Sequence, residues 1–352
     1  MFVIFGILVF SFLVFFHELG HFVAAKLSGV QVNAFSVFMG PALVKWKRGE
    51  TEYAIRCIPF GGFCAMEGED EGSDNPRAFT SAKWWKRLII LSAGSFMNLL
   101  VGMVLLFCLV LPSKTFTTTE LVAVEAGSSL AEGNGLRAGD RILEIADEKL
   151  YLQSDFSLIM MLNGEGHHDV LVERNGKEIL LEDVWFQYRM FPDEEGGESS
   201  RFGITFNTEE ATFANKLSYT WNSTLDNMRM VRLSLSMLLR GDAGIKDMAG
   251  PVGIVQQMSE ISSASKSVWD GILNIVYIGA IISINLAVMN MLPIPALDGG
   301  RAFLLLLTTA IEKITKKKID PKYEGYLHGV CMVLLMILMV VIFLKDIVFL
   351  FR

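Results

Sequence analysis

The feature that most constrains this chain is an apolar run that turns polar at its end. From Phe2 to Phe16 only Ser11 is polar, which is the composition of a membrane span, and then Phe15-Phe16-His17-Glu18-Leu19-Gly20-His21-Phe22 introduces two imidazoles and a carboxylate. On a helix His17 and His21 stand one turn apart on the same face, so both can hold one ion. Glu18 beside them is placed to take a proton from water activated by that ion. The pattern His-Glu-x-x-His is the zinc-peptidase helix signature. In a soluble helix it also arises by chance, with surface histidines and a solvated glutamate. Ionisable groups inside a bilayer span cost roughly 3 kcal/mol each on insertion scales, so here they mark a site.

A catalytic zinc usually keeps three protein ligands and one open position, so a third ligand is expected from another membrane segment. The candidate is Asp298, in Asn290-Met291-Leu292-Pro293-Ile294-Pro295-Ala296-Leu297-Asp298-Gly299-Gly300, at the end of an apolar run from about Ile272. The two prolines break regular helix, and Gly299-Gly300 let the backbone turn so that the carboxylate can aim sideways. Taken alone, Asp298 reads first as the cap of a following helix; together with the first motif it reads as a ligand.

Composition bounds the class. The chain has 352 residues, 52% of them hydrophobic, with 25 Phe and a mean hydropathy of +0.42, which is too apolar for an ordinary soluble enzyme. A polytopic membrane protein with one soluble insert fits. The formal net charge of -7 argues against nucleic acid as a partner, since phosphate binding needs a basic face. The 4 cysteines, Cys57, Cys64, Cys108 and Cys331, avoid the middle insert and form neither a disulfide framework nor a Cys-x-x-Cys metal site. The first segment lacks the basic start of a cleaved signal peptide and runs directly into the chemistry.

These motifs resemble the site-2 protease family of intramembrane zinc metalloproteases, specifically its bacterial members with an extracytoplasmic PDZ domain between the second and third spans. The likeness covers nearly the whole chain in the family's order. Its elements are the His17/Glu18/His21 helix, Pro59-Phe60-Gly61-Gly62-Phe63, Ala93-Gly94-x-x-x-Asn98, a PDZ-like middle, Gly250-Pro251-Val252-Gly253-Ile254, and Asn290 through Gly300. Ser95 departs from the proline often found after the glycine of the second-span motif.

In chain order, the first span covers roughly residues 2 to 26. The next loop holds Lys26, Lys45, Lys47, Arg48, Arg56, Arg77, Lys83, Lys86 and Arg87, and reads as cytoplasmic by the positive-inside rule. Within it, Val37 to Trp46 and Thr51 to Phe63 are strand-like and joined by Lys47-Arg48-Gly49-Glu50, a hairpin signal. A small cytoplasmic ribbon is one reading. The resemblance implies another, a re-entrant β-hairpin whose edge takes up an unwound substrate strand. The acidic run Glu67, Glu69, Asp70, Glu71 and Asp74 reads as a solvated face.

Leu88 to Leu111 makes a second span behind the interfacial anchor Trp84-Trp85-Lys86-Arg87, with Gly94, Ser95 and Gly102 small enough for close helix contact. Residues near 117 to 207 read as the PDZ domain, with Gly135 to Ile145 as a turn leading into a strand. Further strands are expected at Asp169 to Arg174, Ile179 to Trp185 and Phe202 to Phe206, and a helix at Ser154 to Leu162. His167 and His168 are placed in a glycine-bearing surface loop. Residues 211 to 240 carry an amphipathic pattern, suited to a membrane surface or to packing on the PDZ domain. A third span leads to Asp298. Ala302 to Ile314 is too short to cross, Lys316-Lys317-Lys318 and Pro321 close it on the cytoplasmic side, and His328 to Phe351 is the last span.

The expected architecture is therefore a polytopic α-helical membrane protein of about four transmembrane helices, with a re-entrant β-hairpin and an inserted α+β PDZ domain. Its parts are residues 1–112 and 266–352 in the membrane, 113–208 as the PDZ domain, and 209–265 as an amphipathic region. His17, His21 and Asp298 are the expected ligands of one Zn2+ per chain, with Glu18 as general base and then general acid. Asn290, Asn98, Gly61 and Gly62 are candidates for holding substrate or the oxyanion; for either asparagine an interhelical or capping hydrogen bond is the plainer role. The resemblance implies cleavage of single-pass membrane proteins already trimmed outside the cell, such as anti-sigma factors or signal-peptide remnants. It also implies a monomer in the bacterial plasma membrane, with termini and PDZ domain outside and the active site nearer the cytoplasm. A catalytically idle scaffold built on the PDZ domain is the alternative from another class. A zinc transporter would need more buried carboxylates or histidines along its spans than this chain offers.

Overall fold

Phe2–Ser28 folds as one helix, α1: a 27-residue, mostly apolar stretch without proline rises about 40 Å, enough to cross a bilayer. The computed structural model describes residues 2–69, 73–131, 135–192, 198–241, 267–316 and 321–350, with isolated positions between 244 and 265. Asp70, Glu71, Pro251, Val252, Ile254, Lys317, Lys318 and Phe351, singled out in the sequence, lie outside the described residues.

After α1 come the hairpin strands β1 (Val32–Arg48) and β2 (Thr51–Met66), then α2 (Trp84–Val110). The strands run further than the aromatic pattern suggested, and the ribbon folds back on itself, residues 34–37 pairing both with 62–65 and with 52–55. Val32 pairs with Met66, and both ends are held by burial, Phe35 packing its ring 4.9 Å from that of Phe22. The strands join through the tight turn Gly49-Glu50, where Gly49 adopts φ +61°, and the far end bends at the left-handed Phe38, Gly40 and Gly61. Ser11, the one polar residue in the first apolar run, has a definite task. Its hydroxyl lies 2.5 Å from the Pro59 carbonyl, fastening β2 along α1.

The chain divides into two compact units, Met1–Leu109 with Asn227–Arg352, and Val110–Asp226. The first contains α1, the hairpin, α2, α5 (Val268–Asn290), α6 (Asp298–Thr315) and α7 (Pro321–Leu350). Among the described residues four segments are long and apolar enough to cross a membrane: Phe5–Ser28, Trp84–Val110, Val268–Asn290 and Gly325–Asp346. The protein is a multi-pass membrane protein. Ser267 opens α5 with its hydroxyl accepting from the Asp270 amide, and Lys86 closes α1 by donating to the Ser28 carbonyl. Ala25, Val32, Ile90, Leu91, Ala302 and Leu305 form a core shared by α1, β1, α2 and α6. Helices α2 and α5 approach closely at Gly102, where an added Cβ would sit 2.6 Å from Ile284 Cγ1. α2 runs unbroken through Ser95, which is buried in it.

The second unit is an antiparallel sheet with strand order β10-β3-β4-β6-β7. Its strands are β3 (Thr115–Val124), β4 (Arg141–Ile145), β6 (Gly166–Arg174), β7 (Lys177–Phe186) and β10 (Ile204–Glu210), with β5 (Glu148–Lys149) against β4. Helix α3 (Ser154–Asn163) packs on it through Phe156 and Ile159, and β8 (Arg189–Pro192) pairs with β9 (Glu198–Arg201) as a separate ribbon. Asp140, fully buried, accepts from Arg174 Nε and Nη2 at 2.6 and 2.8 Å and from the Arg137 amide. The carboxylate holds the Arg174 guanidinium above its usual range. This pair fixes the Gly135–Asp140 turn against β6. His167 and His168 are on strand β6 rather than in a loop. The sheet pairing extends past the glycine, setting His167 opposite Trp185 and beside Asp183 on an exposed edge. α4 (Phe213–Arg240) carries the chain from the second unit back to the first.

Candidate metal centre

Helical spacing brings His17 and His21 together as their separation requires, with Nε2 atoms 3.2 Å apart and rings nearly perpendicular. The third member arrives from 277 positions later in the chain, Asp298 minus His21. Asp298 Oδ2 lies 3.1 Å from His17 Nε2 and 3.2 Å from His21 Nε2. Regular helix breaks around the two prolines, as the sequence predicts. α5 ends at Asn290, the connection 291–297 turns back, and Asp298 is the first residue of α6.

That connection is folded tightly onto the helix it precedes. Pro293 and Pro295 cannot continue α5, and Ala296 takes a left-handed φ of +86°, a conformation costing about 1–3 kcal/mol in a residue with a Cβ. Gly299 and Gly300 accept the backbone of 291–294 at close range; a Cβ on Gly300 would stand 2.1 Å from the Ile294 carbonyl oxygen. The N-cap position falls to Leu297, so Asp298 does not cap and instead turns its carboxylate to the imidazoles. Arg301, one turn on, pairs with Glu69 after β2 at 2.5 Å and fixes the first turn of α6 to the hairpin.

Helix α2 supplies the backing. The Ile90 carbonyl oxygen lies 2.8 Å from His21 Nδ1, which puts the ring proton on Nδ1 and leaves Nε2 facing the cluster. Asn98, 1% exposed, places its amide 3.2 Å from His17 Nδ1. Gly94 leaves the room in which both imidazoles sit, since a Cβ there would be 2.3 Å from His21 Nε2 and 2.7 Å from His17 Cε1. Beside them, Glu18 lies against Gly62, whose added Cβ would be 3.5 Å from Glu18 Cγ, and the Cys64 amide of β2 faces its carboxylate.

The residues present fit a metal ion. Asp298 Oδ2 is buried and makes no well-aligned hydrogen bond, although both Nε2 atoms stand 3.1–3.2 Å from it. Two protonated rings would set N–H against N–H at 3.2 Å, so at least one Nε2 is a bare lone pair aimed at that oxygen. Acceptors so close repel unless a cation lies among them. A tetrahedral ion with ligands about 2.0–2.1 Å away spaces them roughly 3.3–3.4 Å apart, close to what is seen. Two imidazole nitrogens and one carboxylate oxygen make a zinc-type donor set that leaves one position open.

Of the remaining sequence candidates, Gly61 lies one residue from Gly62, left-handed and against Met39, and Asn290 closes α5 eight positions before Asp298. Among the described residues no hydrogen bond joins either to the cluster. Sequence reasoning took Gly94 only as a helix-contact residue and passed over His328, whose Nδ1 accepts the Ala296 amide at 2.9 Å. The signal for His328 was available, because an ionisable group in an apolar span is rare without a role.

Comparison with known proteins gives concordant results. A profile of Peptidase family M50 matches residues 5–338. A Clostridium acetobutylicum protein assigned as a zinc metalloprotease is 37% identical over 351 residues, 99% of this chain and 97% of the relative. A Clostridium perfringens protein with the same assignment is 34% identical over 99% of each chain. The regulator of sigma-W protease RasP of Bacillus subtilis is 27% identical over 97% of each.

Proposed function

The chain belongs to peptidase family M50, and from that premise we propose that it is a zinc metalloendopeptidase of the site-2 protease type, cutting transmembrane segments of single-pass membrane proteins. The observation that carries this reading is the convergence of His17 Nε2, His21 Nε2 and the buried Asp298 Oδ2 beside Glu18, on a helix apolar enough to span a membrane.

His17, His21 and Asp298 hold the ion. Zinc, when bound there, would supply Lewis acidity and a water of lowered pKa. Glu18 takes a proton from the attacking water and returns it to the leaving amine nitrogen. Asn98 orients His17: its Nδ2 stands 3.2 Å from Nδ1 and its Oδ1 is buried without a donor, and a half-turn of the amide would satisfy that oxygen with Nδ1–H and leave the Nε2 lone pair for the metal, as the Ile90 carbonyl does for His21. Asn98, almost wholly buried, acts on the ligand rather than on substrate. Asn290, Gly61 and Gly62 contact the substrate main chain or the oxyanion.

A helix in lipid hides its peptide bonds, so substrate must unwind. The hairpin runs along α1 from Pro59 beside Ser11 to Gly62 beside Glu18, which supports a re-entrant ribbon whose edge pairs with the unwound strand next to the base. The second unit, with β10 at the outer edge of its sheet and α3 packed on the same core, supports a PDZ domain that excludes substrates still carrying bulky outer domains or reads a freshly cut end. Substrates are then anti-sigma factors or signal-peptide remnants trimmed beforehand, in a bacterial plasma membrane. The basic loop before α2 supports an active site nearer the cytoplasm, with both termini and the second unit outside, and in this reading the chain acts as a monomer.

Glu18→Gln tests the assignment. It retains zinc and folding but loses about a hundredfold or more in cleavage of a reporter membrane helix in liposomes. Undiminished cleavage removes Glu18 from the mechanism.

A further inference from the structure

The turn that delivers Asp298 is not self-sufficient. Within 291–297 the Met291, Leu292, Ile294 and Leu297 amides bond to carbonyls of the same stretch or the end of α5, while the Ala296 amide bonds outside it, to a side chain of α7. Ala296 is also the residue held at φ +86°, two positions before the carboxylate. A left-handed alanine persists only where its surroundings hold it. The contact that does so here is His328 Nδ1, 2.9 Å from the Ala296 nitrogen, and accepting at Nδ1 requires the ring proton on Nε2.

We propose that His328 is a positioning residue for the third metal ligand. By accepting the Ala296 amide it locks the 291–297 turn in the form that points Asp298 at His17 and His21. The inference rests on the metal reading of that trio and extends it to the last membrane helix. α7 leaves much of its apolar surface exposed, including Val330, Val333, Leu334 and Ile337, so the polar contact at His328 gives it a defined attachment to the centre. Losing it lets Ala296 relax toward negative φ and swings the carboxylate off the imidazoles. Outer-shell partners of metal ligands typically contribute about 10–100-fold in metal affinity, and His328 acts one step further out, through the backbone.

Zinc affinity of the purified full chain in detergent, measured by competition with a chromophoric chelator, tests this. His328→Leu should weaken zinc binding by about tenfold or more, and His328→Asn, whose Oδ1 reaches the place of Nδ1, should restore most of it. With Asp298→Ala already present, His328→Leu should add nothing, because the ligand it positions is gone. If Asp298→Ala weakens zinc and His328→Leu does not, the role of His328 is refuted while the metal centre stands. If Asp298→Ala leaves zinc affinity unchanged, the metal reading itself fails. Should the leucine variant not fold, His328→Asn and His328→Gln decide between them. Asn should bind zinc more tightly than Gln, whose longer side chain cannot accept at the Nδ1 position, and equal affinities overturn the proposal.

Discussion

Asn98 and His17, 81 positions apart in sequence, meet across two helices with the asparagine amide 3.2 Å from Nδ1 and the asparagine side chain sealed from solvent. An amide can turn either end to the ring by rotating half a turn, and only with oxygen inward does it fix the proton on Nδ1. Its other contact is structural: the Asn98 carbonyl accepts from Ser283 of α5, so the same residue joins α2 to the third span.

Asn98→Ala is therefore expected to weaken zinc binding about 10–100-fold, and Asn98→Asp, which keeps an acceptor, to lose less. Chelator competition on the purified protein measures both. Equal affinity for wild type and Asn98→Ala would mean that His17 is oriented without it.

Gly94 and Gly102 lie on one helix and separate site geometry from packing. Gly94→Ala puts a methyl within 2.3 Å of His21 Nε2, displacing both imidazoles, and should abolish tight zinc binding. Gly102→Ala drives a methyl against Ile284 and should lower stability by about 1–3 kcal/mol with zinc affinity kept. Metal analysis beside thermal denaturation distinguishes them.

Asp140→Ala leaves the partly exposed Arg174 with the Gly135 carbonyl as acceptor and takes the acceptor from the Arg137 amide. Removing the acceptor of such hydrogen bonds costs about 1–3 kcal/mol. Limited proteolysis should then cut within 110–226 far faster than in wild type, with zinc content unchanged.

Glu50, in the hairpin turn, accepts from Arg77 at 2.6 and 2.8 Å and from Lys26 at 2.7 Å, and these hydrogen bonds depress its carboxyl to about 2. A carboxyl with a lowered folded-state pKa stabilises above its unfolded value near 4.5, and that stability is lost as pH falls from there toward about 2. The group is solvated, so the effect is small. Acid titration of wild type and Glu50→Gln should show the wild-type advantage at pH 6 shrinking below pH 4.5; an advantage that persists at pH 2 would exclude the linkage.

The first helix shows how much was legible in the sequence. Fifteen nearly unbroken apolar residues and the i, i+4 histidines define a span and one face of a site without reference to any other part of the chain, because helix length and helical period are local properties. The hairpin turn at Gly49 and strands β4, β6, β7 and β10 of the second unit were readable for the same reason, whereas β3, β5, β8 and β9 were not. Tertiary structure alone decided the rest. The Ile90 carbonyl and Gly94 carry no signal as ligand-holders in sequence, since one is backbone and the other acts by lacking a side chain. His167 and His168 looked like loop residues because strand pairing with Trp185 and Val184 is non-local. The turn leading to Asp298 contains a left-handed Ala296 whose amide bonds to a histidine 32 positions further on. Periodicity set which groups share a helix; only packing determined which helices bring them within 3.2 Å.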